Sequence, residues 1–539
     1  RQSTVKCRPG ETSTILFLVS VSAAVEWTYF IKRAREFGVF YSINFKLVIM
    51  SDINEIKGVL SELDQEHLLQ FWDRLSQSDK DELLSDIKEI NLKEVISYFK
   101  RTADTLNENQ EKLDDRMKPI PSHLYGAVSR TSPEHLQSFQ TEGYVQISEG
   151  RVGVLIMAGG QGTRLGSSLP KGMYNIGLPS NKSLYQIQAE RILKLQQLAF
   201  SHTGKQGSIT WIIMTSEKTM EPTKEYFEEN NYFGLSKSNV IFFEQGQLPC
   251  FTFDGKIILE RPNKISKSPD GNGGIYRALR DKKVLDEIEK RGVEYLHCHS
   301  VDNILVRVAD PVFVGYCVKR GADCGAKVVP KAFPTEALGV ICNVDDKFQV
   351  VEYSEITLKT AEMRNNDGKL TFSAGSICNH FFTAKFLRKI VGKYENQLKL
   401  HVAKKKIPFV NENGVQCVPE KPNGIKMEKF VFDVFPFAEN LVVWEVNRED
   451  EFSALKNSDS SEKDNPSTAK RDLFSQHARF IRQAGGEIIG NPLVCEISPL
   501  LSYAGEGLKS VVEGKTFQSP LLLKSSKEEI TNGSNGIHT

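Results

Sequence analysis

Apolar and polar positions follow two different rhythms along this chain. From Asp64 to Phe99 the spacing is helical: Leu68, Phe71, Trp72 and Leu75 make one stripe and Leu83, Ile87 and Ile90 a second, with polar residues between. The pattern predicts a small helical N-terminal domain over 50–119, closed by the charged stretch 104–118 and the breaker Pro119-Ile120-Pro121. Short β-rich apolar runs then take over at 152–157, 209–214, 240–243, 293–297 and 326–329. Helical segments such as 217–230 and 279–291 alternate with them. Strands interleaved with helices predict an α/β domain, placed at 120–435, around a central and largely parallel sheet. A C-terminal domain with a small β-rich part is expected over 436–523, with the polar, Pro-containing run 456–472 as a surface loop or linker. Residues 524–539 read as a disordered tail.

Composition narrows the class. A chain of 539 residues, 40% hydrophobic and 25% charged, is expected to be a soluble globular protein of two to four domains. With 69 basic and 68 acidic residues the formal net charge is +1, which gives nucleic acid or an anionic membrane no general attraction. Any anion site must therefore be local. The nine cysteines are irregularly spaced, with no C-x-x-C pair, so neither a disulfide framework nor a zinc site is indicated and reduced thiols in the cytoplasm are expected. The run Ile15 to Val25, preceded by Lys6 and Arg8, has the form of a signal-peptide core and is too short to span a bilayer. A well-formed domain begins just after Met50, so residues 1–49 read as an extension of doubtful origin.

The most informative segment is VLIMAGGQGTRLGSSLPKG, residues 154–172. A strand hands the chain to Ala158-Gly159-Gly160, where small residues let backbone N–H groups approach a ligand closely. Gly162 and Gly166 continue the loop, and Arg164 and Lys171 add two cations. The next helix is announced by Ser183 and Gln186, a capping-box pair, and by Leu184, Ile187, Ile192, Leu195 and Leu198 on one face. Backbone donors, a guanidinium and an ammonium together suit a triphosphate and its developing charge. Two other glycine loops are excluded. Lys171 precedes Gly172 without the P-loop spacing, and Gly160-Gln-Gly162 lacks the third glycine that a dinucleotide fingerprint requires. A turn with two stray surface cations leaves the full string G-G-x-G-T-R-L-G followed by P-K-G unexplained.

That string resembles the signature of the sugar-nucleotide pyrophosphorylase superfamily. FFEQGQLP (242–249), PDGNGG (269–274), VDNILV (301–306), GADCGAKVV (321–329), VVEYSE (350–355), NHFF (379–382), PNGIKMEKFVFD (422–433) and CEISPLLSYAGEGL (495–508) look like the eukaryotic UDP-N-acetylhexosamine pyrophosphorylases. The likeness runs from about residue 50 to about 520. It implies a Rossmann-like nucleotidyltransferase sheet and a uridylyl transfer. UTP and N-acetylglucosamine 1-phosphate, or N-acetylgalactosamine 1-phosphate, would give a UDP-N-acetylhexosamine and pyrophosphate by in-line displacement. Mg²⁺ is the implied cofactor, with Mn²⁺ as a substitute.

Residue by residue, the resemblance implies that Arg164 holds the leaving pyrophosphate and Lys171 the α-phosphate. Lys426 reaches the phosphates and Lys456 lies near the diphosphate, a solvated surface position being the alternative for both. Asp302 ends a parallel strand, facing the usual ligand crevice, and is the metal candidate, with turn capping as the alternative. Uracil is expected against Met157, Ala158, Gly159, Gly160, the Gln245 amide, Gly271 and Asn272. Glu244 stands where a second amide is expected, which leaves open which of the two groups points inward. Gly339, Glu352 and Tyr353 are expected at the hexosamine, with Asn379 to Phe382 as a further mark of an acetamido pocket. Ser376 replaces an expected asparagine at the sugar, and the stretch from Gly485 to Cys495 is shorter than in such relatives. Two rival readings remain: a UDP-glucose or broad UDP-sugar pyrophosphorylase, and an inactive regulator that binds UDP-sugar. The partners expected are small molecules rather than nucleic acid or membrane, for a monomer or homodimer.

Overall fold

A computed structural model describes residues 53–107, 113–526 and 528, so the extension 1–49 and most of the 524–539 tail lie outside the described residues. The chain forms two compact units, Arg1–Asp73 and Arg74–Thr539. In the first, helix α1 covers 53–62 and short 3₁₀ turns follow at Glu66–Leu69 and Trp72–Arg74. Leu60, Leu68 and Phe71 are buried there. The stripe read through Leu75 is thus two short turns rather than one helix, because Ser76 caps a new helix by accepting from Asp79 N at 3.2 Å. That helix, α2 (Gln77–Glu89), and α3 (Leu92–Asn107) belong to the second unit, not to a separate domain ending at 119.

The second unit is built on an eleven-stranded sheet. Eight strands form its spine: β1 (Tyr125–Ala127), β2 (Val152–Met157), β3 (Thr210–Thr215), β4 (Val240–Glu244), β5 (Tyr295–Ser300), β6 (Cys324–Pro330), β7 (Ala374–Thr383) and β8 (Leu441–Glu445). Their order is β1-β8-β6-β7-β5-β2-β3-β4, and only β7 runs antiparallel to its neighbours. Strands buried on both faces need apolar residues at every position rather than every second one. Accordingly Val152, Val154 and Ile156 pack into one core, with Trp211 and Ile213, while Leu155 and Met157 pack into the other with Ile212 and Met214.

Helices cover both faces. α4 (Pro133–Ser148), α5 (Leu184–Thr203), α6 (Glu217–Glu229) and α8 (Pro311–Lys319) lie on the first face, and α7 (Ile275–Asp281) on the second. The run expected to be one helix over 279–291 is two, Ile275–Asp281 and Val284–Lys290, because Lys283 takes a left-handed φ of 56° between them. Ser183 caps α5 by accepting from Gln186 N at 3.2 Å, but the Gln186 side chain turns to Glu190, so the predicted box is half formed.

The C-terminal part departs further from expectation. The run 456–472 is not all loop: Asn465 accepts from Thr468 N at 2.8 Å and starts helix α9 (Pro466–Gln483) inside it. Two short parallel pairs follow, Glu487–Ile489 with Thr516–Gln518 and Cys495–Ile497 with Leu521–Leu523. Within the run read as a tail, the described residues 524–526 and 528 follow the last strand. Glu528 pairs with buried Lys182 at 2.9 Å and accepts from Ser498 Oγ at 2.8 Å, so the chain is docked that far. The eight described cysteines are free.

Helices α4 and α8 cross backbone to backbone. A Cβ on Gly143 would stand 2.1 Å from Pro311 O, and one on Gly315 would stand 1.8 Å from Phe139 O. No rotamer change relieves a clash with a carbonyl oxygen. Gly315→Ala should therefore force the helices apart and destabilise the protein by about 1–3 kcal/mol, the usual range for overpacking. A urea unfolding midpoint equal to that of the wild type would show that the crossing is looser than described.

Candidate active site

The sheet register brings the chemistry to one edge. Ser300 pairs with Met157, and Met157 with Met214, so the carboxyl ends of β5, β2 and β3 are level. Beyond them the chain stays stitched: Ala158 N donates to Met214 O at 2.8 Å, Gln245 N to Thr215 O at 2.9 Å, and Val301 N to Met157 O at 3.2 Å. The glycine loop, Ser216, Gln245 and Asp302 thus emerge side by side, where open α/β sheets hold ligands.

The loop is folded on itself by Lys171 N to Gly160 O at 3.1 Å and Gly162 N to Leu169 O at 2.9 Å. Ser216, the N-cap of α6, donates its hydroxyl to Gly159 O at 2.8 Å and holds the loop from the side. A Cβ on Gly159 would stand 2.7 Å from Gln245 Oε1 and would displace that side chain, whereas the space beside Gly160 is open. Gly159, Gly160, Thr163, Glu244, Gln245 and Lys426 share the wall of a cleft of about 980 Å³. The opposite wall is helical, with Ser85, Asn91 and Glu94 from α2, α3 and the turn joining them. Both Glu244 and Gln245 reach this cleft; Gln245 is the one packed on the loop. Met157 and Ala158 are buried beneath it, leaving only their backbone for a ligand. Arg164 is exposed on the turn Thr163–Leu165 and has no polar partner among the described residues.

Gly271 and Asn272 are fixed by a buried ionic network behind the cleft. Gly271 has a φ of 84°, and a Cβ on it would meet Lys429 O at 2.4 Å. Asn272 Oδ1 accepts from Val431 N at 3.0 Å, which leaves its amide N–H₂ for other partners. Lys429 Nζ donates to Glu395 at 2.5 Å, and Arg277 bridges Glu395 (3.1 Å) to Glu94 (2.7 Å) on α3. Between these cations and the loop lies Asp270, 4% exposed, its carboxyl wedged against Gly246 and Gly274. Burial raises its pKa to about 6, opposed by Lys429 and Arg277.

Lys171 and Asp302 approach to 3.5 Å, each about one-sixth exposed. Cys378, held at a φ of 54° by a bulge in β7, stands among Asn272, Asp302 and Lys456. Its thiol is pushed up to about 12, first by burial and then by the Asp302 charge. Lys456 is exposed, and its ammonium is also felt by Glu352. Among the described residues no three His, Cys, Asp or Glu side chains converge as a metal cage. Asp302 is a single carboxylate beside a phosphate-type loop, which fits Mg²⁺, an ion that binds through one or two carboxylates and completes its shell with phosphate and water.

The residues expected at the sugar meet through a hairpin. Val340–Val344 pairs with Lys347–Val351 in the register Val340 to Val351, so Gly339 and Glu352 lie opposite each other at its open end. A Cβ on Gly339 would come within 2.9 Å of Glu352 Oε1. Gly339 O accepts from Ser376 N at 2.8 Å, which brings β7 into the group. Burial, with the Glu355 charge, holds the Glu352 carboxyl above the usual range. Tyr353 is half exposed beside it.

Asn379 to Phe382 is placed otherwise than the sequence suggests. Asn379 is 1% exposed and its Oδ1 meets His297 Nε2 at 2.5 Å, while Phe381 and Phe382 are core residues. These side chains build the sheet interior rather than a pocket. The sequence reading also missed Ser216, Asp270 and the helical wall. Ser216 followed by Thr219 is a legible helix cap, and Asp270 lies inside the run PDGNGG; nothing in the sequence marks the helical wall.

With this geometry in hand, the likeness to known proteins is decisive. The family model for UTP–glucose-1-phosphate uridylyltransferase matches residues 93–517. The chain belongs to that uridylyltransferase family. Within it, the chain is 51% identical to UDP-N-acetylhexosamine pyrophosphorylase-like protein 1 of Xenopus tropicalis, over 86% of this chain and 95% of that one. The human protein of the same name is 49% identical, over 88% and 97%. The solved uridine diphosphate N-acetylglucosamine pyrophosphorylase of Trypanosoma brucei, in complex with an inhibitor, superposes with a TM-score of 0.75 at 28% identity, over 88% and 99% of the two chains. The uridylyltransferase family thus accounts for the glycine loop and for the sheet that carries it.

Asp270 gives this uridylyltransferase a pH signature. Its pKa rises from 3.8 to about 6 on folding, so its contribution to stability is complete below 3.8 and is lost as pH climbs through 6. Asp270→Asn should gain on the wild type by on the order of 2–3 kcal/mol between pH 4 and pH 7, read from urea midpoints. Identical pH dependence in the two proteins would mean that Asp270 does not carry this penalty.

Proposed function

We propose that the chain joins UTP to N-acetylglucosamine 1-phosphate, and also to N-acetylgalactosamine 1-phosphate, releasing pyrophosphate. The observation that carries the reading is the continuous row of groups along the sheet edge. It runs from the glycine loop and Gln245, through the Lys171–Asp302 pair, to Gly339, Glu352 and Ser376. A nucleoside, a phosphate chain and a hexose are needed in that order. The names and identities of the relatives support the acetamido sugar over glucose.

In the proposed reaction an oxygen of the sugar phosphate attacks the α-phosphorus of UTP, and the bond to the bridging β-oxygen breaks in line. No protein nucleophile is needed, so catalysis is positioning and charge stabilisation. The backbone from Met157 to Gly160, the Gln245 amide and the Gly271-Asn272 turn receive uracil. Lys171 meets charge as it develops on the α-phosphate, while Arg164, exposed and unpaired among the described residues, is free to close on the leaving pyrophosphate. Lys426 and Lys456 add charge along the phosphate chain. Mg²⁺, or Mn²⁺ in its place, would be held by Asp302 and would neutralise phosphate charge when bound. Gly339, Glu352, Tyr353 and Ser376 take the sugar. UTP supply assigns the activity to the cytoplasm, and no described helix is long and apolar enough to cross a membrane.

Pyrophosphate release from UTP and Mg²⁺ tests the reading, with the two acetamido sugar phosphates and glucose 1-phosphate offered in parallel. Turnover of the acetamido sugars with little from glucose is expected. Best turnover with glucose would transfer the assignment to UDP-glucose synthesis, and silence from a folded protein that binds UDP-sugar would point to a regulator. Arg164→Ala should lower kcat by about a hundredfold or more with an unchanged melting temperature; near-normal turnover would remove it from the catalytic set. Ser376→Asn should lower KM for N-acetylglucosamine 1-phosphate, and an unchanged KM would show that position 376 does not read the sugar.

A further inference from the structure

Asn303 follows Asp302 just beyond the end of β5 and is 5% exposed. Its side chain satisfies three backbone groups at once. Nδ2 donates to Glu451 O at 2.7 Å, and Oδ1 accepts from Leu305 N at 3.2 Å and from Ser453 N at 3.0 Å. Two of these partners lie in the segment that leads to Lys456. The main chains are zipped as well: Ile304 N donates to Ser453 O at 3.1 Å, and Leu455 N to Asp302 O at 2.9 Å. On the far side, Lys456 N and Asn457 N both donate to Asp464 O, at 2.7 and 2.9 Å. The backbone of Lys456 is therefore fixed from both directions, and one of those anchors is the backbone of Asp302 itself.

We propose that Asn303 is a positioning residue that sets the Lys456 ammonium against the Asp302 carboxylate, so that a lysine from the C-terminal part acts on the same phosphates as the strand end. The proposal rests on the functional reading given above. The physical argument concerns length. A lysine side chain has four rotatable bonds and an exposed ammonium, so its charge is useful at a fixed point only if its backbone is fixed first. Without the amide of Asn303, Glu451 O and Ser453 N lose buried partners and the zipper opens at its middle.

The test uses the full chain as wild type, Asn303→Ala, Lys456→Ala and the double variant. Each is compared by pyrophosphate release and by amide hydrogen exchange over residues 451–457. Asn303→Ala should exchange faster there and lose about tenfold or more in kcat, with KM for UTP within about threefold. In the Lys456→Ala background the same substitution should remove less than about a further twofold, because the two act as one unit. Effects that multiply instead would overturn the proposal, as would unchanged exchange over 451–457. The exchange arm needs no turnover. A wild type inactive with every sugar phosphate would sink the functional reading and with it the catalytic role given to Asn303, whereas unchanged exchange in an active protein would overturn the positioning role alone. If Asn303→Ala does not fold, Asn303→Asp keeps the acceptor for two bonds, loses the donated one, and takes the same comparisons.

Discussion

Lys327 has no exposed surface, and its ammonium lies within the sheet layer between the carboxylates of Asp310, at 2.6 Å, and Glu451. A charge so placed is tolerable only with its counter-charges in contact, since an unpaired buried ion costs several kcal/mol. The three partners come from β6, from the cap of α8 and from the segment just after β8. Satisfying one lysine therefore dictates where three parts of the chain meet. Glu451 is held for reasons of charge, and its carbonyl is then available to Asn303. The strand end that carries Asp302 and the C-terminal segment that carries Lys456 owe their proximity to that ion cluster.

Much of this arrangement was legible in the sequence, for identifiable reasons. β2 and β3 are short apolar runs bounded by turn residues, and a strand buried on both faces leaves little else for such runs to do. The glycine loop was equally plain, because close backbone approach demands small residues at fixed places. Three kinds of feature were not legible. The break at Lys283 depends on a single left-handed residue that carries no glycine signal. Helix α9 begins inside a polar run, where capping by Asn465 outweighs the loop-like composition. The sheet interior around His297 and Asn379 resembles a polar site by residue type alone; only the fold shows that the two side chains bond each other inside the sheet.

The site residues divide in the same way. Glycine, lysine and arginine at the loop announce phosphate by their chemistry, whereas Asn303 bonds only backbone, on the segments that carry Asp302 and Lys456. Even inside a recognisable run such as VDNILV the role of such a residue is silent, because the group it holds is a peptide unit with no identity of its own. Gly339 is intermediate: only the hairpin register shows that it faces Glu352.

The cleft has a further consequence for where this enzyme ends. Its far wall comes from α2, from the turn at Ile90 and Asn91, and from α3. The family-wide match begins at residue 93, inside α3. A chain trimmed to the shared segment would keep every strand of the eleven-stranded sheet, the glycine loop and its cations, yet it would lose α2 and the turn that line the cleft. The unit that encloses the cleft is thus larger than the segment shared across the family, and the extra piece lies upstream of the glycine loop.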